Sequence, residues 1–145
     1  MDQAPEFSSF GRYSTEALRV LFAARHELAR LGGAAVLPEH ILLAALEPTA
    51  GSSLAALTAL GLPIEALRET LESGLRTSST SVLDPSEVPL SEGAKAVLDK
   101  ALEAAPGQMA SRHLLAGLLL EGKSAAAELL RAHGVALEHV RGGTP

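Results

Sequence analysis

The sequence predicts an all-α fold, in which a tandem duplicated four-helix repeat forms a pseudo-twofold eight-helix bundle. Three observations predict it. Apolar residues make up 47% of the chain while aromatic residues make up only 3%, apolar side chains recur at helical spacing, and the two halves of the chain align with each other. Ala, Leu and Val are the residues with which closely packed helices fill a core. The length of 145 residues suits one compact body.

The first half of the chain predicts four helices. Ser14 is the expected N-cap of the first, which runs to Leu31 and stops at two glycines. Pro38 opens a second, short helix that is apolar nearly all round and is therefore expected to be buried. A third helix follows a turn and ends at Gly61, and Pro63 opens the fourth.

The second half of the chain repeats this order after a segment rich in Ser, Thr and Pro. Ser91, Ser111 and Ser124 are the expected N-caps of three helices, and Leu137 begins a last, short one. The predicted organisation is a flexible N-terminus at 1–9, a first repeat at 10–75, a linker at 76–89, a second repeat at 90–141 and a tail at 142–145.

The two halves match position by position. In the opening helices, one constant offset relates Ser14, Ala17, Val20, Leu21 and Ala24 to Ser91, Ala94, Val97, Leu98 and Ala101. Further along, an offset four residues smaller relates His40, Leu42, Leu57, Gly61, Ile64, Glu65 and Arg68 to His113, Leu115, Leu130, Gly134, Leu137, Glu138 and Arg141. The second repeat is therefore predicted to have lost about one helical turn between its first and second helices.

Four stretches carry a resemblance to a known family: FGRYSTEALRVL (10–21), LPEHILLAAL (37–46), LSEGAKAVLDKAL (90–102) and SRHLLAGLLLEGKSAAAELLRAHGV (111–135). They resemble the Clp N-terminal domain, the tandem helical repeat at the front of Clp-type AAA+ unfoldases such as ClpC and ClpA. The resemblance spans residues 10 to 141. It implies a non-catalytic module that recruits protein substrates or adaptors to the unfoldase and its protease. A free-standing regulator that docks on the unfoldase or protease itself is the alternative.

The resemblance also implies candidate site residues. The resemblance to ClpC-like members implies that each repeat forms a pocket for phosphorylated arginine. This pocket would use a hydroxyl at the N-terminus of the first helix and a glutamate before the histidine of the second helix. Ser14 and Glu39 stand at these positions in the first repeat. In the second repeat Ser91 remains, but Arg112 replaces the glutamate and would repel a guanidinium, so that this site is degenerate. N-capping alone explains both serines completely, and the helix dipole alone explains Glu39.

Composition argues against several other functions. The 12 basic residues against 17 acidic ones, a formal charge of -5, form no basic face for nucleic acid. The chain has no cysteine, which suits a reducing cytoplasm, and no apolar run long enough for a membrane span. We therefore expect no nucleic-acid, membrane, metal or cofactor binding and no enzyme activity. His40 and His113 are expected to be buried, hydrogen-bonded parts of the repeat.

One motif points elsewhere. Residues Gly117 to Ser124 satisfy the G-x-x-x-x-G-K-S pattern of a phosphate-binding loop. Such a loop needs a preceding strand and a flexible segment, whereas the leucines inside this pattern continue a predicted helix, so we reject it. A helical hydrolase and a helix-turn-helix DNA-binding regulator are the alternatives from other functional classes.

Overall fold

The computed structural model describes residues 12–76 and 89–140, which form eight α-helices and one 3₁₀ turn, Pro48–Ala50. The helices are α1 Thr15–Leu31, α2 Pro38–Ala45, α3 Ser52–Ala59, α4 Ile64–Leu75, α5 Glu92–Ala104, α6 Ser111–Glu121, α7 Ala125–Ala132 and α8 Leu137–Val140. The predicted all-α fold with four helices in each repeat is confirmed. The predicted N-terminus 1–9, the tail 142–145 and residues 77–88 of the predicted linker lie outside the described residues.

Serine hydroxyls begin three of these helices, as the sequence predicts. Ser14, Ser91 and Ser124 each accept a hydrogen bond from the backbone N–H three residues later, at 3.1, 3.0 and 3.1 Å. These bonds satisfy first-turn N–H groups that a helix leaves without internal partners. Helix α1 ends at Gly32, whose φ of 87° is in the left-handed region that favours glycine.

Histidine begins the two central helices in place of serine. The Nδ1 atom of His40 accepts the backbone N–H of Leu37 at 2.9 Å, and Nδ1 of His113 accepts that of Ala110 at 2.9 Å. Both imidazoles are buried, with 1% and 2% of their surface exposed. The prediction that these histidines are buried and hydrogen-bonded is therefore confirmed.

The prediction that Ser111 is an N-cap is wrong, because the cap of α6 is Ala110. The imidazole of His113 already fixes this helix start from within, which leaves the buried hydroxyl of Ser111 available for other partners. It donates to the carbonyl oxygen of Ala50 at 2.6 Å and accepts the backbone N–H of Ser53 at 2.9 Å. Ser111 thus ties the second repeat to the first.

Helices α2 and α6 form the centre of the core, and most of their residues are buried. Helix α6 packs closely on α5 because Gly117 has no side chain. A Cβ at Gly117 would lie 3.0 Å from the Cβ of Ala101 and would clash with the carbonyl oxygen of Val97. Buried apolar residues from both repeats form one continuous cluster.

The short segments that precede the first two helices of each repeat, here called the pre-helix segments, pair with those of the other repeat. Tyr13, before α1, forms a parallel bridge with Met109, before α6, and Val36, before α2, forms one with Leu90, before α5. The repeat alignment relates Tyr13 to Leu90 and Val36 to Met109, so the two bridges are equivalent under the pseudo-twofold relation. The N-terminus of each repeat's first helix is therefore held against the second helix of the other repeat.

Candidate functional site

A groove of about 910 Å³ opens at one of these inter-repeat contacts. It lies where the N-termini of α2, α5 and α7 meet the C-terminal half of α4. Its polar lining includes Glu39, Ser91, Glu121, Lys123, Ser124 and Glu128, and its apolar lining includes Leu37, Leu71, Leu75, Ala125, Leu129 and Ala132. The groove therefore combines an apolar surface with several carboxylates and three helix N-termini.

Glu39 is positioned by the first turn of α2 and reaches across to the second repeat. Its Oε2 atom accepts the backbone N–H of Ala126, in the first turn of α7, at 2.9 Å. Glu39 is half-buried, and its other carboxylate oxygen accepts no hydrogen bond from the residues that the structure describes. The side chain is thus both a cap for α7 and a negative charge within the groove.

Ser91 contributes the N-terminus of α5 to the same groove. The pairing of the two repeats holds it in place, because its backbone N–H donates to the carbonyl oxygen of Val36 at 2.9 Å. Two residues later, Gly93 lies against Pro38, whose Cγ would be 3.2 Å from a Cβ at that position. A glycine here lets α5 approach Pro38 of α2 closely and places no side chain at this edge of the groove.

Ser14 does not line this groove. Its backbone N–H donates to the carbonyl oxygen of Met109 at 2.8 Å, which places it beside the segment that precedes α6. The structure therefore brings Glu39 together with Ser91, in place of the pairing with Ser14 that the resemblance implied within one repeat. Pairing of the pre-helix segments between repeats causes this arrangement, since the first helix of each repeat begins against the second helix of the other.

The position related to the groove by the duplication is filled by Glu16. This side chain lies in the first turn of α1 and accepts the backbone N–H of Ser52 at 3.1 Å, the Ser52 hydroxyl, and the backbone N–H of Ser111 at 2.9 Å. Burial raises the pKa of Glu16, but the hydrogen bonds from Ser52 and Ser111 outweigh it and lower the pKa overall.

Glu16 is not among the site residues that the sequence predicts. The repeat alignment contained the necessary information, because it relates Glu16 to Gly93, a change from a charged side chain to none. Arg112, which makes the predicted second site degenerate, lies beside Ser52. Its backbone N–H donates to the Ser52 hydroxyl at 3.1 Å.

The prediction that the leucines of the G-x-x-x-x-G-K-S pattern continue a helix is confirmed, because α6 runs through the pattern to Glu121 and Gly122, with a φ of 74°, ends it. Within 12–76 and 89–140, no cluster of three or more His, Asp or Glu side chains could hold a metal ion. The helices of these same ranges include none with the length and apolar character needed to cross a membrane.

Comparison with known proteins agrees with the arrangement of helices. A family model described as the Clp repeat (R) N-terminal domain matches residues 12–107. The negative regulator of genetic competence ClpC/MecB from Bacillus subtilis is 34% identical over 136 residues, which cover 91% of this chain and 16% of the relative. The chain thus spans about 16% of that protein's length.

Two solved structures share the fold. The N-domain of ClpV from Vibrio cholerae superposes with a TM-score of 0.76 at 16% identity, covering 97% of this chain and 87% of the other. The N-terminal domain of ClpD from Arabidopsis thaliana gives a TM-score of 0.66 at 22% identity, covering 91% and 94%. Because the family model matches more than half of the residues, the chain belongs to the Clp repeat N-terminal domain family.

Proposed function

We propose that this domain is a non-catalytic docking module that recruits protein substrates or adaptors to a Clp unfoldase and its protease. The observation that supports it most directly is the open groove, in which the carboxylate of Glu39 lies among apolar side chains and beside the N-termini of two helices. A groove of this kind suits a segment of another protein, since apolar contacts supply affinity and a few polar groups fix orientation.

The groove's chemistry suits a phosphorylated arginine on the recruited protein. The carboxylate of Glu39 would receive the guanidinium, as carboxylates do in charge-assisted pairs. The phosphoryl group would lie at the N-terminus of α5, where Ser91 and the helix dipole favour negative charge. In this proposal Glu39 and Ser91 form the site, while Ser14 keeps its role as the cap of α1.

The test is calorimetric titration of the domain with a short peptide containing phosphoarginine. In Glu39→Gln the amide oxygen can still accept the Ala126 N–H, but the negative charge is lost. We expect binding to weaken by at least tenfold while Tm stays within about 2 °C, since only a charge has been removed. Unchanged affinity would show that Glu39 is solely a cap.

Ser91→Asp offers a second, matched comparison. Aspartate is as good an N-cap as serine, so α5 should keep its stability, but the added charge would repel a phosphoryl group. Ser14→Asp makes the same change at the equivalent helix start outside the groove. We expect Ser91→Asp to abolish binding of the peptide and Ser14→Asp to leave it unchanged; equal effects of the two variants would contradict the assignment.

The partner class is tested by affinity capture from lysate, with and without prior arginine phosphorylation. Beads carrying the domain should retain Clp substrates or adaptors only after phosphorylation, and beads carrying Glu39→Gln should not. Recovery of no unfoldase, protease subunit or adaptor would contradict the docking function.

A further inference from the structure

The duplication makes each residue of the groove comparable with one residue on the opposite face. Where the groove has Gly93, Glu39 and Ala125, the opposite face has Glu16, Arg112 and Ser52. The groove residues leave space and a carboxylate beside helix N-termini. On the opposite face, the carboxylate of Glu16 lies inside the equivalent space.

Glu16 is held there by donors from two helices. The first backbone N–H of α3, on Ser52, and the first of α6, on Ser111, both donate to its carboxylate, and the Ser52 hydroxyl adds a third bond. The Ser111 hydroxyl lies 3.2 Å from Oε2. These groups are the ones that a helix start offers to an external anion. Here the chain's own side chain uses them.

The fit around the carboxylate is close. A Cβ placed on Gly51 would overlap the Glu16 carboxylate, so the turn before α3 can pass Glu16 only because it has a glycine there. The hydrogen bonds also lower the pKa of Glu16, which keeps the negative charge in place at neutral pH.

We propose that Glu16 is a built-in anion that occupies the second of the two duplicated sites, so that the domain binds one phosphorylated ligand, at the Glu39 groove. The identity of the ligand rests on the proposed function, whereas the occupancy by Glu16 does not. A phosphoryl group entering the second site would have to displace three hydrogen bonds and would meet a like charge. The guanidinium of the same ligand would meet Arg112, whose positive charge would repel it.

Stoichiometry tests the proposal directly. Titration of the native domain with the phosphoarginine peptide should give one site per chain, and Glu39→Gln should weaken binding at that site by at least tenfold. The double variant Glu16→Gly with Arg112→Glu places at the second site the residues that Gly93 and Glu39 supply at the first, and it should give two sites. Two sites in the native domain, or one site in a folded double variant, would overturn the proposal.

A second measurement is independent of phosphoarginine and of the double variant's folding. Glu16→Gly alone should open a small anion site, so Tm should rise by about 2–4 °C when acetate reaches about five times its Kd, relative to chloride at equal ionic strength. Glu65→Gly, the same change in the first turn of α4 at an exposed residue, should show no acetate effect.

The two measurements separate the two proposals. Acetate stabilisation of Glu16→Gly without any binding of the peptide by the native domain would leave Glu16 as the built-in occupant and reject the phosphoarginine function. Equal Tm of Glu16→Gly in acetate and chloride would reject the occupancy, whatever the peptide does.

Discussion

The carboxylate of Glu39 in the first repeat accepts the backbone N–H of Ala126 in the second, with 2.9 Å between Oε2 and the nitrogen. One side chain therefore supplies the charge of the groove and also caps a helix of the other repeat. Loss of function in a Glu39 variant could come from either role. Stability measurements are needed to separate them.

Glu39→Ala removes the cap as well as the charge and should lower the free energy of unfolding by about 1 kcal/mol, the usual effect of losing an N-cap acceptor. Glu39→Gln keeps an acceptor and should stay within about 0.5 kcal/mol of the native domain. Urea denaturation followed by circular dichroism measures both. Equal losses in the two variants would show that the charge, rather than the hydrogen bond, stabilises α7.

His40 should make the domain sensitive to mild acid. Burial lowers its pKa from 6.5 to about 4, so the unfolded chain takes up a proton at a higher pH than the folded one. The contribution of His40 to the free energy of unfolding is therefore fully present above pH 6.5. It decreases by about 3 kcal/mol as the pH falls to 4. Denaturation midpoints measured between pH 7 and pH 4 would show the loss.

The matched variant for this prediction is His40→Gln, because glutamine at the third helical position can also accept the N-cap N–H but does not titrate. Its stability should change less between pH 7 and pH 4 than that of the native domain. Parallel pH profiles of the two proteins would mean that other groups cause the acid sensitivity.

Gly117→Ala should destabilise the domain by about 2–3 kcal/mol, although alanine is the better helix former. The added methyl would meet the Val97 carbonyl oxygen and the Ala101 Cβ, so α5 and α6 would have to separate. Gly74→Ala is the control, since a Cβ at that helical position meets nothing within 4 Å; it should stabilise by about 0.5–1 kcal/mol. Thermal denaturation of both variants measures the difference, and stabilisation by both would contradict close packing at Gly117.

The two repeats should unfold together. Each depends on the other for the partner of its pre-helix segment, through the bridges Tyr13–Met109 and Val36–Leu90, and one apolar cluster includes both. We expect a single calorimetric transition with equal calorimetric and van't Hoff enthalpies. A fragment of residues 10–75 should lack cooperative unfolding, and a stable isolated fragment would contradict interdependence.

Most of the helices could be predicted from the sequence because their determinants are local. Ser14, Ser91 and Ser124 begin helices through bonds to N–H groups three residues away, and Gly32 ends the first of these helices. Ser111 has the same sequence appearance but is the first residue of α6 and not its N-cap. Its partners, Ala50 and Ser53, are distant in sequence.

The sequence by itself determined the duplicated all-α fold, the buried histidines and the residue types available for recognition. Helical periodicity and capping are set within a few residues, so they are visible without the fold. Only the tertiary structure decided that Glu39 shares a groove with Ser91 and that Glu16 fills the related position opposite. These arrangements depend on how the pre-helix segments of the two repeats pair with each other. Residue spacing within one repeat cannot predict contacts between repeats.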